Sequence, residues 1–171
     1  MTHRTVNALR EMPCPCRQSI AWWQEAHRLQ LILCDELEAI ADSLPRHVVH
    51  EDCIFAAKIL GSLIRDVHAY EESTLFPALK ERFPASPEIS AAIERLTFEH
   101  LADECYGDDL AEKLLYLGNG GEDVNMEALA YMLRGFFDAL RRHIAYERDH
   151  FSFALETLGA KPTADGTSSL N

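Results

Sequence analysis

The sequence predicts an all-α protein, with four long helices packed up-down-up-down as a bundle. Three observations carry this. Apolar residues recur at intervals of three and four through four long segments. Proline or glycine clusters separate those segments. No run alternates β-branched with polar residues, as a half-buried strand requires. Short connections between long helices make sequence neighbours antiparallel neighbours in space.

The first helix spans Gln18 to Leu44, with Ile20, Trp23, Ala26, Leu31, Cys34, Leu37, Ile40 and Ala41 at helical spacing, and it stops at Pro45. The second runs from about Val49 to Phe83, ahead of Pro84, because a proline disfavours helical backbone in the residue before it. The stretch "ASPEI" then supplies Ser86 as cap, Pro87 as first helical residue and Glu88 in the first turn. That third helix reaches about Leu117, where "GNGGED" breaks it. The fourth begins near Asn125 and ends at Gly159. The bundle therefore covers 18–159, between an N-terminal extension, 1–17, and a small polar tail, 160–171, expected to fray.

At 171 residues with 47% apolar content, the chain is long enough for one domain with a substantial core. No apolar run is long enough to span a bilayer. The opening "MTHRTVNALREMPCPCRQ" has no apolar stretch behind its charges, so no signal peptide is expected and the cytoplasm is the expected compartment. Five cysteines, an odd number at no framework spacing, suggest a reduced interior. Cys14 and Cys16 are too closely spaced for an easy internal disulfide. A net charge of −12 disfavours nucleic acid and anionic membranes as partners, since both need a basic face.

Function enters through the histidines. Two stretches, "HAYEESTLF" from His68 and "HIAYERDHF" from His143, share one pattern: His, three residues, Glu, three residues, Phe. Residues four apart lie on one helix face, so each copy can aim an imidazole and a carboxylate at one point. The same His-Glu spacing recurs at His47/Glu51 and His100/Glu104, so spacing alone is weak. Height in the bundle discriminates. Counted from the turns between helices, His27, the His68/Glu72 pair, His100 and the His143/Glu147 pair fall within roughly one helical turn of a common level. His47 and Glu51, at the first turn, do not. Buried carboxylates facing imidazoles are costly unless something satisfies them, and a metal is the usual solution. The expected ligands are His27, His68, Glu72, His100, His143 and Glu147. Six donors exceed what one tetrahedral zinc requires, and imidazole with carboxylate but no thiolate suits iron or manganese.

With these motifs, "EAHRLQL", "HAYEESTLFPAL", "FEHLADE" and "HIAYERDHF", the chain resembles the hemerythrin-like family, the HHE cation-binding domain, from about Trp22 to Leu158. The resemblance implies a four-helix bundle holding two iron ions, with the histidines as ligands and the two glutamates, Glu72 and Glu147, bridging. It implies a small partner: dioxygen, nitric oxide or peroxide. Binding of such an oxidant is the leading reading. A di-iron enzyme decomposing peroxide or reducing nitric oxide, and an iron- or oxygen-responsive regulator, are the alternatives.

Three departures stand out. The oxygen carriers of the family place a second histidine one turn after the third-helix ligand; Glu104 stands there, either a further ligand or a helix-surface carboxylate. His150 forms a Glu-x-x-His arrangement with Glu147 and is either a ligand or a supporting residue. Cys34, Gly61 and Gly107 fall at one level about 10 Å from the ligand layer, which calls either for close helix approach or for a gas path. Trp23, Phe76 and Phe151 lie one turn from ligands and are expected to wall the site.

Overall fold

The first apolar stripe forms helix α1, Ile20–Ser43. The computed structural model describes residues 19–159. Gln18, the extension 1–17 with Cys14 and Cys16, and the tail 160–171 lie outside the described residues. Ser19 caps α1 by accepting a hydrogen bond from the Trp22 N–H at 3.1 Å, which satisfies one of the free amides at a helix start. Helix α2, His50–Tyr70, leads into a π turn, Glu71–Leu75, and a short α3, Phe76–Arg82. Helix α4, Pro87–Gly118, is capped by Ser86, whose hydroxyl accepts from the Ile89 N–H at 3.3 Å. Helix α5, Met126–Gly159, starts where Asn125 Oδ1 accepts from the Ala128 N–H at 3.0 Å.

The ends fall within two residues of the sequence-based positions, and the described residues are all-α. The second rod differs from expectation: it is one line of helix interrupted by the π turn. Pro77 gives the reason. It has no N–H for the Ser73 carbonyl, and its ring would crowd that carbonyl in a regular helix. The wider turn just before it removes the conflict, and Phe76 N–H reaches Glu71 O instead.

Helix α1 packs on α2 and α5, and α4 packs on α2 and α5, which closes a four-rod bundle with sequence neighbours side by side. Leu33 and Leu37 of α1, Leu60 and Ile64 of α2, Leu110 and Leu114 of α4, and Leu133 and Phe136 of α5 fill the interior away from the histidines. No helix among the described residues is long and apolar enough to cross a membrane.

The small-residue layer is resolved by its neighbours. A methyl on Gly107 would lie 3.7 Å from the Phe136 ring and 3.9 Å from Leu60 Cγ, so large side chains already occupy the space beside it. Gly61 does not point to the bundle centre. A methyl there would come within 2.9 Å of Asp108 Oδ1 on α4, beneath the Arg65–Asp108 ion pair. At Gly118 a methyl would sit 2.5 Å from Ile54 Cγ1 and 3.0 Å from the His50 carbonyl oxygen. Close approach of α2 and α4 explains Gly118, and Gly61 leaves room for the Arg65–Asp108 pair; the contacts give no support to a gas path.

The seam makes a graded prediction. Gly118→Ala must push α4 off the α2 backbone and should destabilise the protein by about 1–3 kcal/mol. Gly107→Ala meets only ordinary contact and should be neutral or stabilising by about 0.4–1 kcal/mol, since alanine restricts the unfolded chain. Denaturant melts of both variants decide it, and equal effects would argue against a tight α2–α4 seam.

Candidate metal centre

Each rod contributes inward side chains at one height. Helix α1 brings His27, α2 brings His68, the π turn brings Glu71, α4 brings His100, and α5 brings His143 and Glu147. All six are buried, and Glu71 and Glu147 have no exposed surface at all. Their donor atoms form two overlapping groups, each within 4.8 Å: His68, Glu71, His100 and His143; and His27, Glu71 and Glu147. Glu71 belongs to both. His27 Nε2 lies 3.4 Å from Glu71 Oε1 and 3.0 Å from Glu147 Oε2. His100 Nε2 lies 3.3 Å from Glu71 Oε2, and His143 Nε2 lies 3.7 Å from Glu147 Oε1.

The structure thus brings together five of the six residues that spacing singles out, and replaces the sixth. Glu72 is the correction. Its side chain is 47% exposed, and its Oε1 sits 2.7 Å from His100 Nδ1, on the outward side of that ring. In a helix, residues three and four ahead of His68 are both its neighbours, so the "EE" doublet leaves the choice open. Glu71 keeps regular helical backbone, with φ −61° and ψ −51° and its N–H on the Val67 carbonyl, and it is Glu71, not Glu72, that faces the centre; the π turn follows it.

A set of carboxylates surrounds the imidazoles from outside. Glu104 Oε1 meets His68 Nδ1 at 3.0 Å and Glu72 meets His100 Nδ1. Asp103 Oδ2 and Glu99 Oε2 lie 3.3 and 3.4 Å from His143 Nδ1, near enough for charge but without hydrogen-bond geometry; Glu104 and Glu72 do make the bond. A proton held on Nδ1 by such a neighbour leaves the Nε2 lone pair facing inward and fixes the ring plane. Glu104 therefore supports His68 rather than facing the centre. His150 is exposed and its Nδ1 is 2.8 Å from the Tyr146 carbonyl oxygen, away from the cluster. The expected aromatic walls are present: Phe76 stacks on His100 at 5.8 Å between centroids, and Phe151 packs on Phe76 at 6.0 Å. Trp23 does more than wall the site. Its indole N–H donates to Glu71 Oε1 at 2.5 Å, and its ring lies 3.9 Å from His27. Spacing gave no sign of that hydrogen bond, or of Asp103 and Glu99.

Whether the cluster suits a cation is tested by its unsatisfied atoms. Glu71 Oε2, His100 Nε2, His143 Nε2 and both carboxylate oxygens of Glu147 are buried without hydrogen-bond partners. Glu147 Oε2 is close to His27 Nε2, yet the approach lacks hydrogen-bond geometry. These atoms converge on shared space instead of pairing, which a bound cation resolves. Without a cation, the central carboxylates draw protons to the imidazoles instead. Burial opposes the charge on His27, but Glu147 and Glu71 outweigh it and raise its pKa to about 9. Burial likewise opposes ionisation of Glu147, and His143 and His27 overcome it, lowering its pKa to about 2. Burial, with His100 nearby, pushes His68 down to about 3, so it stays neutral and able to donate a lone pair. His100 and His143 are raised against burial, chiefly by Glu71 and Glu147 respectively.

Comparison with protein families agrees with this geometry. The hemerythrin HHE cation binding domain matches residues 18–152, most of the chain, and the protein belongs to that family. Comparison with curated proteins and with solved structures finds no significant match.

Two predictions follow from the geometry. Glu71→Ala should abolish metal retention, whereas Glu72→Ala should weaken it by about 10–100-fold, the usual cost of losing a carboxylate behind a ligating histidine. Metal content after dialysis against graded chelator reads this, and the reverse order would return the central role to Glu72. In metal-free protein, the raised pKa of His27 contributes stability that is complete below the unfolded value of 6.5 and is lost as pH rises through about 9. His100 and His143 act in the same direction. On the acid side, His68 disfavours folding as pH falls from 6.5 through about 3, and the Glu147 contribution fades from 4.5 through about 2. The melting temperature of metal-free protein should therefore peak near pH 6.5 and drop towards pH 9. A flat alkaline limb would contradict the His27–Glu147 pairing.

Proposed function

We propose that this centre holds two iron ions and binds a small oxidant: dioxygen, nitric oxide or peroxide. One observation carries the reading, namely that the two donor groups overlap at a single carboxylate, Glu71. His68, His100 and His143 would serve one ion, His27 and Glu147 the other, with Glu71 common to both. Imidazole and carboxylate donors suit iron, and the buried thiols Cys34 and Cys53 are not members of either group. Iron held there would supply an open position at which a small oxidant binds.

The chain's own residues do the rest. Trp23 holds Glu71 by its indole N–H, Glu72 and Glu104 hold the rings of His100 and His68, and Asp103 and Glu99 set negative charge beside His143. Phe76 and Phe151 keep water from the α4–α5 side. Glu104 stands where oxygen carriers of the family have a second histidine and is turned to His68, so the His100 side is one imidazole short of that arrangement. This supports reaction with, or sensing of, an oxidant over reversible oxygen carriage.

The test is metal analysis of untagged protein loaded with iron(II) without air, followed by optical spectra under air and under nitric oxide. Two ions per chain and a spectral change with at least one gas are expected. Chelation should lower the melting temperature by roughly 10 °C, the effect of removing a ligand present at about 1,000 times its Kd. One ion per chain, or a spectrum indifferent to both gases, would overturn the reading.

A further inference from the structure

A diatomic molecule needs little more room than one water, roughly 30 Å³. Between α1 and α5 the structure opens a cleft of about 560 Å³ that reaches His27 and Trp23. That volume falls in the ~300–1,000 Å³ range of sites for whole organic molecules. Its walls are apolar: Ile20 and Leu31 come from α1, Ile144 and Leu155 from α5. Two guanidinium groups border it, and they differ. Arg28 is held by Glu25, through Nε at 2.8 Å and Nη2 at 2.5 Å, so its charge is already balanced. Arg148 is exposed and, among the described residues, has no ion-pair partner. Glu156, the carboxylate in the lining, stands eight residues further along α5, about 12 Å from Arg148 by helix rise.

We propose that this cleft binds a small amphipathic carboxylate. Its apolar body lies between Ile20, Leu31, Ile144 and Leu155, and its carboxylate meets Arg148. Apolar walls with one free cation select an apolar molecule carrying one negative charge over a neutral one or a polyanion. The ligand would rest against Trp23, which touches the centre through His27 and Glu71, so occupancy would be felt there. The site stands whichever oxidant the centre takes.

Calorimetric titration of the full chain with octanoate, and separately with 1-octanol, tests this, with metal content measured on the same samples. Octanoate should bind saturably at one site per chain and more tightly than octanol. Arg148→Ala should weaken octanoate about five-fold, the upper end for an exposed ion pair, and leave octanol unchanged. Ser152→Phe, which fills the cleft from α5, should abolish both at unaltered metal content. Absence of saturable octanoate binding, an unchanged affinity in Arg148→Ala, or octanol binding as tightly as octanoate would each overturn the proposal. Because metal content and gas response are read independently, such a result would leave the iron reading standing.

Discussion

At the level where the four rods meet, Glu71 stands without any exposed surface, and the geometry around it follows from that one buried carboxylate. Removing a carboxylate from water costs several kcal/mol even after relaxation, so it must be surrounded by groups that favour it. The Trp23 indole, the imidazoles of His27 and His100 and the shared space of two donor groups do this, and they come from α1 and α4, on either side of it. Glu71 reaches this position on regular helical backbone, three residues after His68 and immediately before the helix widens. The residue common to both donor groups thus stands at the junction between regular helix and the widened turn beside Pro77.

Charge is arranged around this point in shells of alternating kind. Carboxylates at the centre face imidazoles, and the imidazoles are backed by Glu72, Glu99, Asp103 and Glu104. Part of the acidic surplus of the chain is therefore not a solvating surface but a support for the histidines. The spread of histidine pKa values has the same origin. His68 is buried, and the other imidazoles crowd it, so it stays neutral; His27 lies against two carboxylates and is raised.

The bundle is also asymmetric. On the α2–α4 side, Gly118 lets the backbones approach until a methyl group no longer fits. On the α1–α5 side, the rods leave a cleft that ends on His27 and Trp23. The close approach lies at Gly118, far along α4 from His100, while the cleft lies at the level of the centre.

The sequence by itself determined the helices and the height of the site. Periodic apolar residues and the stops at Pro45, Pro84 and the glycines after Leu117 mark four rods, and equal distances from the turns place His27, His68, His100, His143 and Glu147 at one level. These features are local, or depend only on the fixed rise of a helix, so they can be read along the chain. The choice of Glu71 over Glu72 was not legible, because both lie within one turn of His68 and the difference rests on how the second rod is rotated in the bundle. Nor were Trp23 as a hydrogen-bond donor, the carboxylates behind the rings, the outward turn of His150, or the Phe136 ring that occupies the space beside Gly107. Each of those depends on how far one rod is rotated against the next, and only the packed bundle sets that angle.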